Sequence, residues 1–176
     1  MTRRPILGQV LAFLAACVIV VTGIYVFVLW HNQSPERVLA AKSGHVLYQT
    51  STMAMGDIQH GSQKQAVLLR FSRDGGWVVE GKGAWLRTPA AGSIRLAVLP
   101  NTSYGFSDAY WLCVSRENHK VTRLQLVDVT GKHAPQTFIF HESGIIEPVQ
   151  IEGPVRIQVY SGQDLLFTVS WDPSKA

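Results

Sequence analysis

The sequence predicts an α+β protein, in which an N-terminal transmembrane helix extends into a stalk helix packed on an antiparallel β domain. Three observations carry this expectation. Residues 5–30 contain no Asp, Glu, Lys or Arg and follow Arg3-Arg4. Ser34-Pro35-Glu36 then has the chemistry of a helix start, with an N-cap serine, proline at the first helical position and an acid in the first turn. From Gln65 onward, short runs rich in Val, Leu, Ile, Phe and Trp are separated by Gly, Asn, Asp and Pro. The boundaries fall at 1–30 for a cytoplasmic tip and membrane helix, 31–66 for a helical stalk, and 67–176 for the β domain.

The first element exceeds the roughly 20 residues that a helix needs to cross a bilayer. A secretory signal peptide also has a basic start and an apolar centre, but that centre spans only about 7 to 15 residues. The longer run here reads as a retained anchor. Tyr25 and Trp30 fall toward its distal end, where amphipathic rings suit the headgroup layer. Arg3 and Arg4 place the N-terminus in the cytoplasm by the positive-inside bias, and the chain from His31 onward in the periplasm or outside.

In the stalk, Leu39, Val46 and Met53 recur at seven-residue spacing, with Val38, Ala41, Leu47 and Ile58 nearby. They predict a helix over 35–55. Gly44, Gly56 and Gly61 each cost about 1 kcal/mol relative to Ala inside a helix, which places an interruption near 56–61.

The β domain opens with Val67 to Phe71, a turn at Arg73-Asp74-Gly75-Gly76, and Trp77 to Glu80. A second turn at Gly81-Lys82-Gly83 leads to Ala84 to Arg87. Further strands are expected at 94–99, 110–115, 122–129 and 137–140. The clearest pair is last: Val155, Ile157 and Val159 alternate with polar residues, Ser161-Gly162-Gln163-Asp164 turns, and Leu165, Phe167, Val169 and Trp171 form the returning apolar face.

Composition narrows the function classes. All 12 acidic residues lie beyond the anchor, against all but two of the 16 basic ones, so the outer part is close to neutral. That balance argues against a nucleic-acid surface, which clusters Lys and Arg on one face. Cys17 lies in the membrane segment and Cys113 in an apolar strand, so they do not form one disulfide. The six histidines show no H-x-x-x-H pair and no Cys-His cluster, and the acids are too dispersed for a calcium loop. Ser143-Gly144 and Ser161-Gly162 read as turns, and there is no G-x-S-x-G. No catalytic, cofactor-binding or metal-binding residue is nominated, and none of this points to an enzyme.

Trp77, Trp85, Trp111 and Trp171 could form a binding platform, but such residues more often fill a β core. The loop Pro100 to Asp108 is a candidate contact loop, because Tyr104 and Phe106 stand among turn residues. The alternative is a packed Ω-type loop.

An apolar N-terminal helix running into a β domain is the layout of type IV pilins and pseudopilins. Ala66 to Phe71, Asp74-Gly75-Gly76-Trp77 and Trp85-Leu86-Arg87-Thr88-Pro89 resemble the helix exit, opening hairpin and Trp-bearing strand of the H-type minor pseudopilins of type II secretion and their minor-pilin relatives. Phe140-His141-Glu142-Ser143-Gly144, followed by Glu147-Pro148-Val149, is similar to the family's turn into its final strands.

The N-terminus departs from the family pattern. Arg4 stands at the glycine that precedes the processing cut, Pro5 at the first mature position, and Gln9 at the glutamate that pairs with a neighbouring subunit's amine. Gln9 can donate and accept hydrogen bonds but cannot form that ion pair. Its other reading is a polar residue near the membrane boundary with no special role.

The resemblance implies a structural subunit of a type II secretion or type IV pilus-like filament, single-pass in the inner membrane, with no cofactor. Its partners would be other pseudopilins or minor pilins, an inner-membrane assembly platform and the lipid bilayer. Two further readings stand beside it: a DNA-uptake minor pilin, against which the charge balance argues, and a membrane-anchored periplasmic β-sandwich that binds a ligand or envelope protein outside any filament.

Overall fold

The computed structural model describes residues 4–89, 94–102, 109–117 and 120–175. Helix α1 covers Arg4–His31 in 28 residues. Its window Gly8–Val28 is long and apolar enough to cross a membrane, with 21 residues that extend about 31 Å at 1.5 Å each, against about 30 Å of hydrocarbon. Every described side chain from Gly8 to Val28 is exposed.

Helix α2, Pro35–Ala40, is six residues long. Ser34 caps it as expected, its hydroxyl accepting from the Arg37 N–H. The helix then closes. Ser43 takes a φ of 53°, and its N–H donates to the Ala40 carbonyl while that of Gly44 donates to Leu39, the bond pair of a Schellman motif.

Here the structure corrects the sequence reading. The stalk expected over 31–66, helical over 35–55, is strand from residue 45: β1 (His45–Gln49), β2 (Met53–His60) and β3 (Gln63–Phe71). Over β2 and β3 the reason is double-sided burial. Leu39, Ala54, Ile58, Val67 and Leu69 pack on one face of this sheet beneath α2, while Met53, Met55, Ala66 and Leu68 pack on the other. A strand buried on both faces loses its period-two signature, and its apolar run can mimic a helical stripe. Gly44 and Gly56 serve close approach: a Cβ on Gly44 would strike the Asp57 carbonyl, and one on Gly56 the His45 carbonyl and the Leu39 side chain.

The remaining strands are β4 (Trp77–Ala84), β5 (Ile94–Pro100), β6 (Ala109–Arg116), β7 (Arg123–Asp128), β8 (Gln136–Ile139), β9 (Gly144–Gln150), β10 (Val155–Ser161) and β11 (Asp164–Trp171). The turn expected at Gly81-Lys82-Gly83 is instead part of β4, and β9 joins the strands the sequence suggested.

All pairings are antiparallel, in sheets ordered β1-β2-β3-β4, β5-β6-β9 and β11-β10-β7-β8. The three-stranded sheet is the middle layer. Ile94, Leu96, Val98, Leu112 and Val114 face Leu124, Leu126, Val155, Ile157 and Val159 of one outer sheet. Ala97, Leu99 and Cys113, the alternate residues, face Met55 and Leu68 of the other. The body is therefore three stacked antiparallel sheets with α2 outside the first. The final hairpin closes through Gly162 at a φ of 60°, which suits the first central position of a type II′ turn. Its register pairs Val159 with Phe167 and Ile157 with Val169.

Candidate functional site

Where β4 crosses the end of β5, a cleft of about 830 Å³ opens between that corner and the β10–β11 hairpin. Glycine makes the crossing possible. A Cβ on Gly83 would lie 2.7 Å from Leu99 Cδ2, and one on Gly81 would lie 3.2 Å from the Pro100 carbonyl oxygen. Lys82, between them, is exposed on the cleft rim.

Leu86, Val98, Tyr110 and Trp171 give the cleft its apolar lining. Leu86 is held there because its N–H donates to the Leu96 carbonyl, which carries the exit of β4 along β5. The Tyr110 and Trp171 rings meet edge to face, with centroids 4.9 Å apart at 77°, a geometry that aromatic quadrupoles favour.

The rim is charged. Lys82, Arg156 and Lys175 stand against Asp172. Asp172 is engaged, accepting from the Ser174 hydroxyl at 2.7 Å and from its N–H at 2.9 Å, with Lys175 Nζ at 3.9 Å. The hydroxyl and amide of Ser174 hold its carboxyl below the usual carboxylate range. Among the described residues, no carboxylate pairs with Lys82 or Arg156. An apolar, aromatic floor beside two cations that no described carboxylate pairs suits a ligand that carries both an apolar body and negative charge.

The sequence-nominated residues fall elsewhere. Arg4 and Pro5 lie in the first turn of α1, and Gln9 is exposed on that helix. Tyr104 and Phe106 lie outside the described residues. Pro100 and Tyr110, which flank their loop, do line the cleft. The tryptophans divide as core residues: Trp77 beneath α2, Trp85 and Trp111 against the layer between the first two sheets, and Trp171 between the second and third. Trp171 also reaches the cleft. Lys82, Tyr110 and Arg156 were not singled out from sequence; the signal for the first was G-K-G, which fits a turn equally well.

Away from the cleft, polar groups tie the layers together. Asp57, 2 % exposed, accepts from Arg95 Nη1 at 2.8 Å, Lys64 Nζ at 3.2 Å and the His45 N–H at 3.2 Å. Burial pushes its carboxyl up, but the hydrogen bonds from Lys64 and Arg95 outweigh this and hold it below the ordinary value. Tyr48 donates its hydroxyl to Glu142 at 2.9 Å. Burial and that carboxylate push the phenol up to about 12.

Cys113 is completely buried, and burial pushes its thiol far above the usual range, so it is not a nucleophile. Among the described residues, no three His, Cys, Asp or Glu side chains converge as metal ligands. The arrangement at the cleft provides binding chemistry, an aromatic floor with cations on its rim. Comparison with protein-family models, with curated proteins and with solved structures finds no match for this chain.

Proposed function

We propose that the chain is a single-pass membrane protein whose β body is a tethered binding module, with the cleft beside Tyr110 and Trp171 as its ligand site. In this reading Arg3 and Arg4 stay cytoplasmic and the three-sheet body faces the periplasm of a bacterial envelope. The observation that carries it is the cleft itself, which joins an aromatic floor to Lys82 and Arg156, neither of them paired with a described carboxylate. Its ligand is amphiphilic and anionic, and an acidic, aromatic peptide segment of an envelope protein has that chemistry.

The test is binding of a fluorescent acidic-aromatic peptide to the full chain in nanodiscs. Affinity should fall at least about tenfold, which is about 1.4 kcal/mol, in the Lys82→Glu/Arg156→Glu double variant, and should weaken with added salt. Equal binding by wild type and double variant would remove the cleft from the proposal.

A minor-pseudopilin role is the second reading, and α1 favours it, being apolar and exposed on every side as a laterally packing filament helix would be. That role also calls for a helical spine across the sheet, and the segment that would supply it forms β1 to β3. Mass spectrometry of the native N-terminus separates the two: a methylated end within residues 5–9 supports the filament, and an intact Met1 or Thr2 supports the tethered module. The DNA-uptake reading would return with a steeply salt-dependent DNA affinity.

A further inference from the structure

The anchor does not enter the β body through a free linker. Asn32 continues the helical bonding, its N–H donating to the Val28 carbonyl at 3.0 Å, and its own carbonyl accepts from the Trp77 N–H at 2.9 Å. Gly76 permits this approach, since a Cβ there would lie 3.3 Å from Asn32 Cβ. A second strap comes from α2. The Arg37 guanidinium lies 4.4 Å from the Trp30 ring centre and donates to the Trp30 carbonyl at 3.1 Å. Arg37 belongs to a helix pinned by buried Pro35 and Leu39.

These contacts fix a height. The apolar window of α1 ends at Val28, and Asn32 is four residues further on, about 6 Å along the helix axis. The headgroup layer on each side of a bilayer is about 5 to 8 Å thick. With that window spanning the bilayer, the β3–β4 turn, bonded to Asn32 through Trp77, comes to the depth of the lipid headgroups. Its side chains suit that place. Phe71, 43 % exposed, stands edge to face against Trp77 at 5.6 Å, and Trp30 is 52 % exposed. Exposed aromatic rings at this level are the usual residents of the membrane interface. The local charges offset one another in sequence, Arg37 by Glu36 and Arg73 by Asp74.

We infer that the β3–β4 turn is a membrane-contacting element: Phe71 and Trp30 seat in the lipid interface and hold the β body in one orientation against the bilayer, through aromatic contact and not through anionic lipid. The inference rests on the anchor part of the proposed function and is independent of the cleft.

The test uses the full chain with Cys17→Ser in zwitterionic proteoliposomes, Cys113 being too buried to label. Nitroxides are placed singly at Arg73→Cys, Val20→Cys in the anchor and Gln163→Cys in the exposed β10–β11 turn, and collisions with a water-soluble nickel chelate are measured. The label at 73 should be about threefold less accessible than that at 163, and Phe71→Ser should raise its accessibility. Replacing a third of the lipid with an anionic one should leave the ratio unchanged; a large change would overturn the aromatic assignment. If the label at 20 reports lipid while those at 73 and 163 are equally exposed, the inference is overturned and the anchor stands. If the label at 20 is itself water-accessible, the anchor reading fails and the inference fails with it.

Discussion

Asp57→Asn removes the charge that joins the first sheet to the middle one while leaving the shape almost unchanged. The wild-type carboxylate is 2 % exposed and accepts from Arg95, Lys64 and the His45 N–H. Breaking a fully buried ion pair costs about 3 to 5 kcal/mol. Here the Lys64 and Arg95 side chains are 55 % and 32 % exposed, so both recover water when their partner loses its charge. Arg95 also keeps Glu117 at 3.7 Å. The expected loss is accordingly nearer 2 kcal/mol, and for a urea slope of about 1.5 kcal/mol per molar it moves the unfolding midpoint by about 1.3 M.

Urea titration of the full chain in detergent micelles, followed by tryptophan fluorescence, measures this. The pH dependence supplies the sharper check. The native carboxyl is held below its unfolded value, so its contribution is complete above that value and is lost as pH falls through the lowered native one. Wild type and variant should therefore converge on acidification. Equal midpoints at neutral pH, or a gap that acid does not narrow, would refute the account of Asp57 as a charged inter-sheet tie.

Two further outcomes follow from the packing. Gly144→Ala drives a Cβ into the ring of Tyr48, and overpacking of this kind should lower stability by about 1 to 3 kcal/mol in the same urea titration; the penalty of Gly144→Ala should shrink when measured in a Tyr48→Ala background, and an unchanged penalty would place the strain elsewhere. Cys113, completely buried in β6, should resist a water-soluble maleimide in the folded Cys17→Ser chain and react only on unfolding, as read by mass shift against denaturant.

The uncharged run at residues 5–30 was legible as a helix because its length and apolar composition are those of a helix able to cross a bilayer. The last hairpin was legible for a different reason. Val155, Ile157 and Val159 bury one face and leave the other to polar residues, and Gly162 supplies the positive φ that its turn requires. The segment from Gly44 to Ala66 was not legible. Its sheet is covered on one side by α2 and on the other by the middle sheet, so Met53, Ala54 and Met55 are all buried and the alternation that marks a strand is missing. The cleft was hidden for a related reason. Lys82, Tyr110, Arg156 and Trp171 come from four strands, and nothing in their spacing announces that the strands meet.

What the sequence determined by itself was local: the apolar rod, the cap at Ser34, the glycine turns and the strands with one wet face. Each depends on a few neighbouring residues and on contact with water or lipid. The tertiary structure decided which segments would be buried on both sides, and thereby set β2 and β3 where the sequence carried a helix-like stripe. It also decided which charges would gather around an aromatic floor, because both outcomes depend on surfaces supplied by distant parts of the chain.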